Sequence, residues 1–189
     1  MKSARLVPLA LLLSACAGAQ TRFYTLQPAV PEVRSPLVYG GPPVRIDAVH
    51  VPASLDRPEL VRDQAGDRFI VSDNDHWAAP VGELLRRVLT QDVAALLPRE
   101  AVIFPDAPKL PNSVGVVVDI LSITPTAEGV IMQASWTVLP SKAGAQARQR
   151  TARLSVPSAG AGVQGDATEL SALAGQLAAA IAEDLAAQT

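Results

Sequence analysis

The chain has 189 residues, 49% of them apolar and 18% charged. That is the length of one domain and the composition of a packed core, which excludes a disordered polyampholyte or a fibrous repeat. Sixteen Lys and Arg stand against eighteen Asp and Glu, a formal charge of −2, so no global field favours a nucleic acid and none is expected as a partner. One cysteine and two histidines exclude an intrachain disulfide and leave too few ligands for a structural zinc site; no metal and no cofactor is expected.

Lys2 and Arg5 precede the apolar run Leu6 to Leu13, and small residues follow it. The run is shorter than the ~20 apolar residues that span a bilayer, and its basic flank marks a secretory signal. Leu13-Ser14-Ala15-Cys16 resembles the bacterial lipobox. In that motif Leu13, Ser14 and Ala15 present an extended backbone to the signal peptidase, and Cys16 becomes the first mature residue, carrying a diacylglyceryl group through a thioether. The expected division is a lipoprotein signal peptide over 1–15, a lipidated tether over 16–22 and the domain over 23–189. The alternative is cleavage at an Ala-x-Ala-like site before Gln20, which discards Cys16. One acyl chain holds a protein to a membrane only marginally, whereas two or more anchor it stably. Ala17 follows the cysteine, and by resemblance to the sorting rule of enteric bacteria a non-Asp residue there implies the outer membrane. Loss of residues 1–15 removes Lys2 and Arg5 and leaves 174 residues with 14 basic against 18 acidic, a charge of −4.

Phe23 to Leu26 reads as a first strand. Residues 28–43 hold Pro28, Pro31, Pro36, Pro42 and Pro43 with Gly40 and Gly41, a density that forbids helix and favours an extended segment. Val44 to Val51 is strand-like, and its change of apolar phase between Ala48 and Val49 suggests a bulge or burial on both faces. Glu59–Arg62 and Arg68–Ser72 can form a hairpin around Ala65-Gly66-Asp67. The first long helix is expected to be opened by Asp73, Asp75 and Pro80, with Val81, Leu84, Leu85, Val88, Leu89, Leu96 and Leu97 as its buried stripe and Pro98 as its stop. Val102–Phe104 is a short strand. Val114–Thr124, rich in β-branched residues, is expected to be a buried central strand. Val130–Leu139 and Arg148–Val156 alternate as antiparallel neighbours. Asp166 and Glu169 have capping-box spacing, and Leu170, Leu173, Leu177, Ile181 and Leu185 form a helical stripe. The expected fold class is α+β: a single domain with a mixed, mainly antiparallel sheet and two amphipathic helices packed on one face.

Little in the sequence points to chemistry. Asp73-Asn74-Asp75-His76 has the polar density of a metal site, but a calcium loop requires glycine at its sixth position, and position 78 is alanine; helix-start electrostatics is the competing reading. His50 and His76 lack a nucleophile elbow, and no phosphate-binding glycine loop occurs. Arg148, Arg150 and Arg153 read as a solvated edge that guards against aggregation, or as a headgroup site. The best functional candidate is the proline-bounded loop from Val51 to Val61, whose Leu55, Asp56, Arg57 and Pro58 present one apolar and two charged side chains as a partner-binding surface. The competing reading has Asp56 and Arg57 satisfying the turn or each other. Trp77 is either a partner anchor or core.

Three segments in order, Phe23-Tyr-Thr-Leu26, Val49-His-Val-Pro-Ala-Ser-Leu-Asp-Arg-Pro-Glu-Leu-Val61 and His76-Trp-Ala-Ala-Pro80 with Arg87-Val-Leu89, resemble the ABC-type transport auxiliary lipoproteins, the PqiC-like family that accompanies MCE-domain transport systems. The resemblance implies a non-enzymatic periplasmic lipoprotein. Such a protein works with an MCE-domain protein, a membrane permease and sometimes an ATPase to move lipids between the membranes of a Gram-negative envelope and keep the outer membrane intact. It places the chain on the periplasmic face of the outer membrane by its lipid anchor, and a homo-oligomeric ring would suit a tubular partner. Two other classes remain open at this level. A lipid-binding carrier requires a sizeable internal acyl-chain cavity, and an envelope hydrolase requires His50 or His76.

Overall fold

A computed structural model describes residues 20–29, 37–64, 68–142 and 144–188; the predicted signal peptide, the lipobox residues Leu13, Ser14 and Ala15 with Cys16, and the turn 65–67 lie outside these. The first strand, β1, is short (Arg22–Tyr24). After the extended segment ending at Pro43 come β2 (Val44–His50), β3 (Glu59–Gln64) and β4 (Arg68–Trp77). Helix α1 spans Val81–Leu96. It is followed by a 3-10 turn and the two-residue β5 (Val102–Ile103). Strands β6 (Val114–Pro125), β7 (Gly129–Leu139) and β8 (Arg148–Pro157) form a meander, and α2 (Val163–Ala186) closes the chain.

The α+β class and the single domain agree with the sequence reading, but the strands divide between two sheets. The larger has the order β5-β2-β6-β7-β8 and the smaller β1-β4-β3. The break falls after β2. There Pro52 and Pro58 withhold two ladder donors, and the intervening turn is closed by Leu55 and Asp56 N–H groups donating to the Pro52 carbonyl at 2.8 and 3.1 Å. β6 is central, parallel to β2 and antiparallel to β7, as its β-branched composition predicts.

The phase change in β2 is a bulge. Ile46 pairs with Val116 and Ala48 with Val117, so Asp47 is the extra residue and the buried series moves from Val44 and Ile46 to Val49 and Val51. β6 repeats the device: Ile120 pairs with Ala134 and Ser122 with Gln133, which turns Leu121 out to solvent. The core face of the large sheet, built on Val116, Val118, Ile120, Met132, Ala134 and Trp136, meets Leu85, Leu89 and Val93 of α1 and Leu173, Leu177 and Ile181 of α2. Burying each of these large aliphatic side chains contributes roughly 1.5–3 kcal/mol.

The segment after β1 crosses both helices. Leu26 is buried, the Gln27 N–H donates to Ser171 Oγ at 3.2 Å and the Ala29 N–H to Asp92 Oδ1 at 3.1 Å. The carbonyl of Ala29 sits where a Cβ on Gly175 would be, so the helix surface must be bare at that point.

Two helix starts differ from the sequence expectation. Asp73 and Asp75 do not open α1; they lie in β4, and the helix begins after Pro80, with Glu83 in its first turn. Asp75 is instead buried and held by Arg22 of β1, whose Nε and Nη2 donate at 2.7 and 3.1 Å. A bidentate charge-assisted pair across 53 residues outweighs a helix dipole, and a local pattern cannot register it. Asp166 is not an N-cap either. The N-cap of α2 is Gly162, four residues earlier, at φ 109° and ψ 163°, a conformation essentially restricted to glycine. Glu169 reaches back beyond the helix start to accept from the Ala159 N–H at 2.8 Å and Ser158 Oγ at 3.2 Å.

Candidate functional site: an apolar cleft beside the proline-bounded loop

An open cleft of about 170 Å³ lies where the 51–58 loop, β3 and the first turns of both helices meet. Its walls are Val51, Leu55, Leu60, Trp77, Val81, Leu85, Ile123, Leu170 and Leu173, and its polar rim is Arg62, Asp166 and Glu169. The cleft lies at the division between the sheets: Leu60 and Arg62 come from the small one, Ile123 and Val130 from the large one.

Of the sequence-predicted residues, the structure brings Leu55 and Trp77 together on the cleft wall, both half-buried. Asp56, Arg57 and Pro58 are exposed beside it and do not line it. The Arg57 N–H donates to the Leu55 carbonyl at 3.0 Å, but its side chain pairs with neither the turn nor Asp56. Its Nε donates to Glu59 Oε2 at 3.1 Å, and hydrogen bonds from the Glu59 backbone and from Arg57 hold the Glu59 carboxyl below the usual range. Pro58 contributes its carbonyl, which accepts from the Trp77 N–H at 2.7 Å and ties the loop to the end of β4.

Sequence reasoning missed the rim. Arg62 on β3 and Asp166 on α2 form an ion pair across 104 residues. Burial pushes the Asp166 carboxyl up, and Arg62 pulls it back. Arg62 Nη2 is buried and has no hydrogen-bond partner among the described residues. The local signal points elsewhere: Asp166 and Glu169 have capping-box spacing, which carries no trace of a partner 104 residues away.

The other candidates resolve into structural roles. His50 Nδ1 lies 2.8 Å from Asp119 Oδ1, but the two are register neighbours on β2 and β6 with side chains 63% and 39% exposed, a solvated cross-strand pair. His76 lies beside Phe23, ring centroids 6.0 Å apart. Asp73 is exposed, and among the described residues no group of three or more His, Cys, Asp or Glu could hold a metal ion. Arg148 and Arg150 do not simply guard the edge of β8: both reach Asp184 of α2, at 3.7 and 3.3 Å, and Trp136 Nε1 donates to the same carboxylate at 3.2 Å. Arg153 remains exposed. No helix among the described residues is long and apolar enough to cross a membrane.

A strand-rich domain with two helices on one sheet face and a bulged central pair is matched over residues 24–182 by the family of ABC-type transport auxiliary lipoprotein components. The chain belongs to that family. Its fold is similar to that of an uncharacterized protein solved by crystallography, with TM-score 0.68 and 19% identity, covering 88% of this chain and 99% of that one. It is also similar to the crystal structure of protein XCC0632 from Xanthomonas campestris, with TM-score 0.64 and 14% identity over 89% and 100% of the two chains. A search of curated proteins found no match.

Proposed function

We propose that this chain is a non-catalytic adaptor of an MCE/ABC-type lipid transport system. In this reading, residues 1–15 are removed, acyl chains on Cys16 hold the domain to the periplasmic face of the outer membrane, and the cleft at Leu55 and Trp77 receives a side chain of the MCE-domain protein or its permease. Membership of a transport auxiliary lipoprotein family supports the setting.

The size of this cleft favours a docked side chain over a lipid held within it; two more open depressions, of about 360 and 620 Å³, lie beside Tyr39 and beside Ile70. Sites that enclose small-molecule ligands have roughly 300–1,000 Å³, and an apolar cavity of about 150 Å³ holds a single benzene ring. At about 170 Å³ the cleft fits one aromatic or branched aliphatic side chain and not the acyl chains of a phospholipid. The Arg62–Asp166 pair supplies the polar edge beside that side chain. Anchoring raises the effective concentration of the docking partners, so modest intrinsic affinity suffices.

The test is a photo-crosslinking residue placed at Leu55 in the native envelope, with the captured protein identified by mass spectrometry. Recovery of an MCE subunit or its permease is expected; capture of peptidoglycan enzymes alone overturns the reading. Native mass spectrometry of the purified lipoprotein with one stoichiometric phospholipid bound would favour the carrier instead. Intact-mass analysis of the mature N-terminus tests acylation of Cys16 directly.

A further inference from the structure

Four of the described strands bound the two sheets, and three of them are poor templates for another chain. β5 has two residues, β1, parallel to β4, has three, and the pairing of β3 is interrupted by a register shift between Glu59 and Val61. β8 is different. It is the outermost strand of the large sheet, ten residues long, and it pairs with β7 without a break from Gly129 and Pro157 to Val138 and Arg148. Its one proline, Pro157, is its last residue. An edge of that length and regularity presents a row of unpaired N–H and C=O groups, supplied by alternate residues. At one end Gln176 Nε2 donates to the Ser155 carbonyl at 3.0 Å. No described strand lies beyond Arg148–Leu154, seven residues or about 23 Å of edge.

The charge pattern says what fits that edge. From Gly129 to Gly165 the sequence holds no Asp or Glu, yet it holds Lys142, Arg148, Arg150 and Arg153, in a chain whose acids outnumber its bases 18 to 16. Asp184 of α2 takes both Arg148 and Arg150, so one carboxylate meets two guanidinium groups. Arg153 is exposed on the strand itself. Charge of one sign guards an edge against a copy of itself, since two β8 strands side by side gather six arginines. The same charge favours a strand of the opposite sign. A lipid surface fits less well: headgroups do not repeat the donor and acceptor alternation of a main chain, and Gln149 and Thr151, exposed beside the arginines, are polar.

We propose that the open edge of β8 takes an extended, acidic segment of a partner polypeptide as a sixth strand of the large sheet. Main-chain hydrogen bonds supply the affinity, and carboxylates beside Arg150 and Arg153 set the register. No residue of β8 lines the cleft at Leu55 and Trp77, so this is a second docking surface and does not depend on occupation of the first.

The experiment places a photo-crosslinking residue at Gln149 of the full chain in its native envelope, with Gln91, exposed on α1, as the control position. The polypeptide segment captured at 149 and not at 91 is sequenced, synthesised, and titrated against the purified protein by fluorescence anisotropy. It is expected to carry Asp or Glu at more than one position. Arg153→Glu is expected to weaken the peptide several-fold, whereas Arg153→Lys leaves its affinity near native. Methylating the main-chain nitrogens of alternate peptide residues is expected to abolish binding in one phase and spare it in the other, because only every second N–H of a strand reaches the edge. A captured segment without acidic residues, or equal affinity for both phases of methylation, overturns the proposal. Capture of β8 from a second copy overturns it in favour of a self-interface, and lipid adducts in place of protein overturn it in favour of a membrane contact. Capture no greater at 149 than at 91 overturns it outright.

Discussion

The main-chain N–H of Ala29 donates to Oδ1 of Asp92 over 3.1 Å, and the other oxygen of that fully buried carboxylate has no partner among the described residues. One hydrogen bond does not offset the removal of a charge from water. Burial therefore pushes the Asp92 carboxyl up to about 6, against 3.8 for an ordinary aspartate, with the Ala29 N–H opposing.

The consequence is a pH-dependent cost. Between about pH 4 and 6 the folded state holds a proton at Asp92 that the unfolded chain has lost, so stability falls as pH rises through this window and levels off above it. Asp92→Asn keeps an acceptor for Ala29 and removes the charge. Urea midpoints at pH 4.5 and 7.5 are expected to shift in favour of the variant by about 1–2 kcal/mol between the two conditions, at 1.36 kcal/mol per pK unit and allowing for partial solvation. Equal slopes for variant and native protein would falsify the burial argument. The depressed carboxyls of Asp75 and Glu59 act in the opposite sense, losing stability as pH falls below about 4, and they are common to both proteins.

Gly175→Ala puts a Cβ into the carbonyl of Ala29. Helix propensity alone favours alanine by about 1 kcal/mol, yet the crossing segment must move, so a net loss of about 1–3 kcal/mol is expected by thermal unfolding. Gly40→Ala, where nothing lies within 4 Å, is the matched control and should leave Tm unchanged.

Removal of the Arg22 guanidinium should loosen β1 without unfolding the domain. β1 has three residues, and the Ala78 N–H donates to the Tyr24 carbonyl at 2.8 Å. In Arg22→Ala the Ala78 amide is expected to exchange with solvent deuterium faster, while amides of β6 and β7 keep their native protection. Uniform acceleration across the domain would mean that β1 is integral to the global fold.

Asp184→Ala leaves Trp136 Nε1 without its acceptor and frees Arg148 and Arg150. Trp136 is 4% exposed, so its N–H cannot recover a full hydration shell. A loss of about 1–3 kcal/mol is expected, reported by the urea midpoint and by a shift of the tryptophan emission.

The strands and helix stripes were legible because each is a local periodicity. The β-branched run at Val114–Ile123 predicted the central strand, and the phase change near Ala48, which allowed a bulge or burial on both faces, is a bulge one residue earlier at Asp47. The errors share a cause. Asp75, Asp166 and the pair Arg148 and Arg150 were assigned roles from their neighbours in sequence, whereas their partners Arg22, Arg62 and Asp184 lie 53, 104 and more than 30 residues away. The cleft was half legible for the same reason: Leu55 and Trp77 sit near punctuating prolines, but Ile123, Leu170 and Arg62 join them only through the division of the strands into two sheets.

The parallel pairing of β1 with β4 also decides how the fold answers tension. A pull on the backbone ahead of Arg22 runs along β1 rather than across it, so the ladder and the Arg22–Asp75 fork are strained together instead of being peeled apart one rung at a time. A strand of only three residues thereby meets traction in the orientation in which so few bonds resist it best.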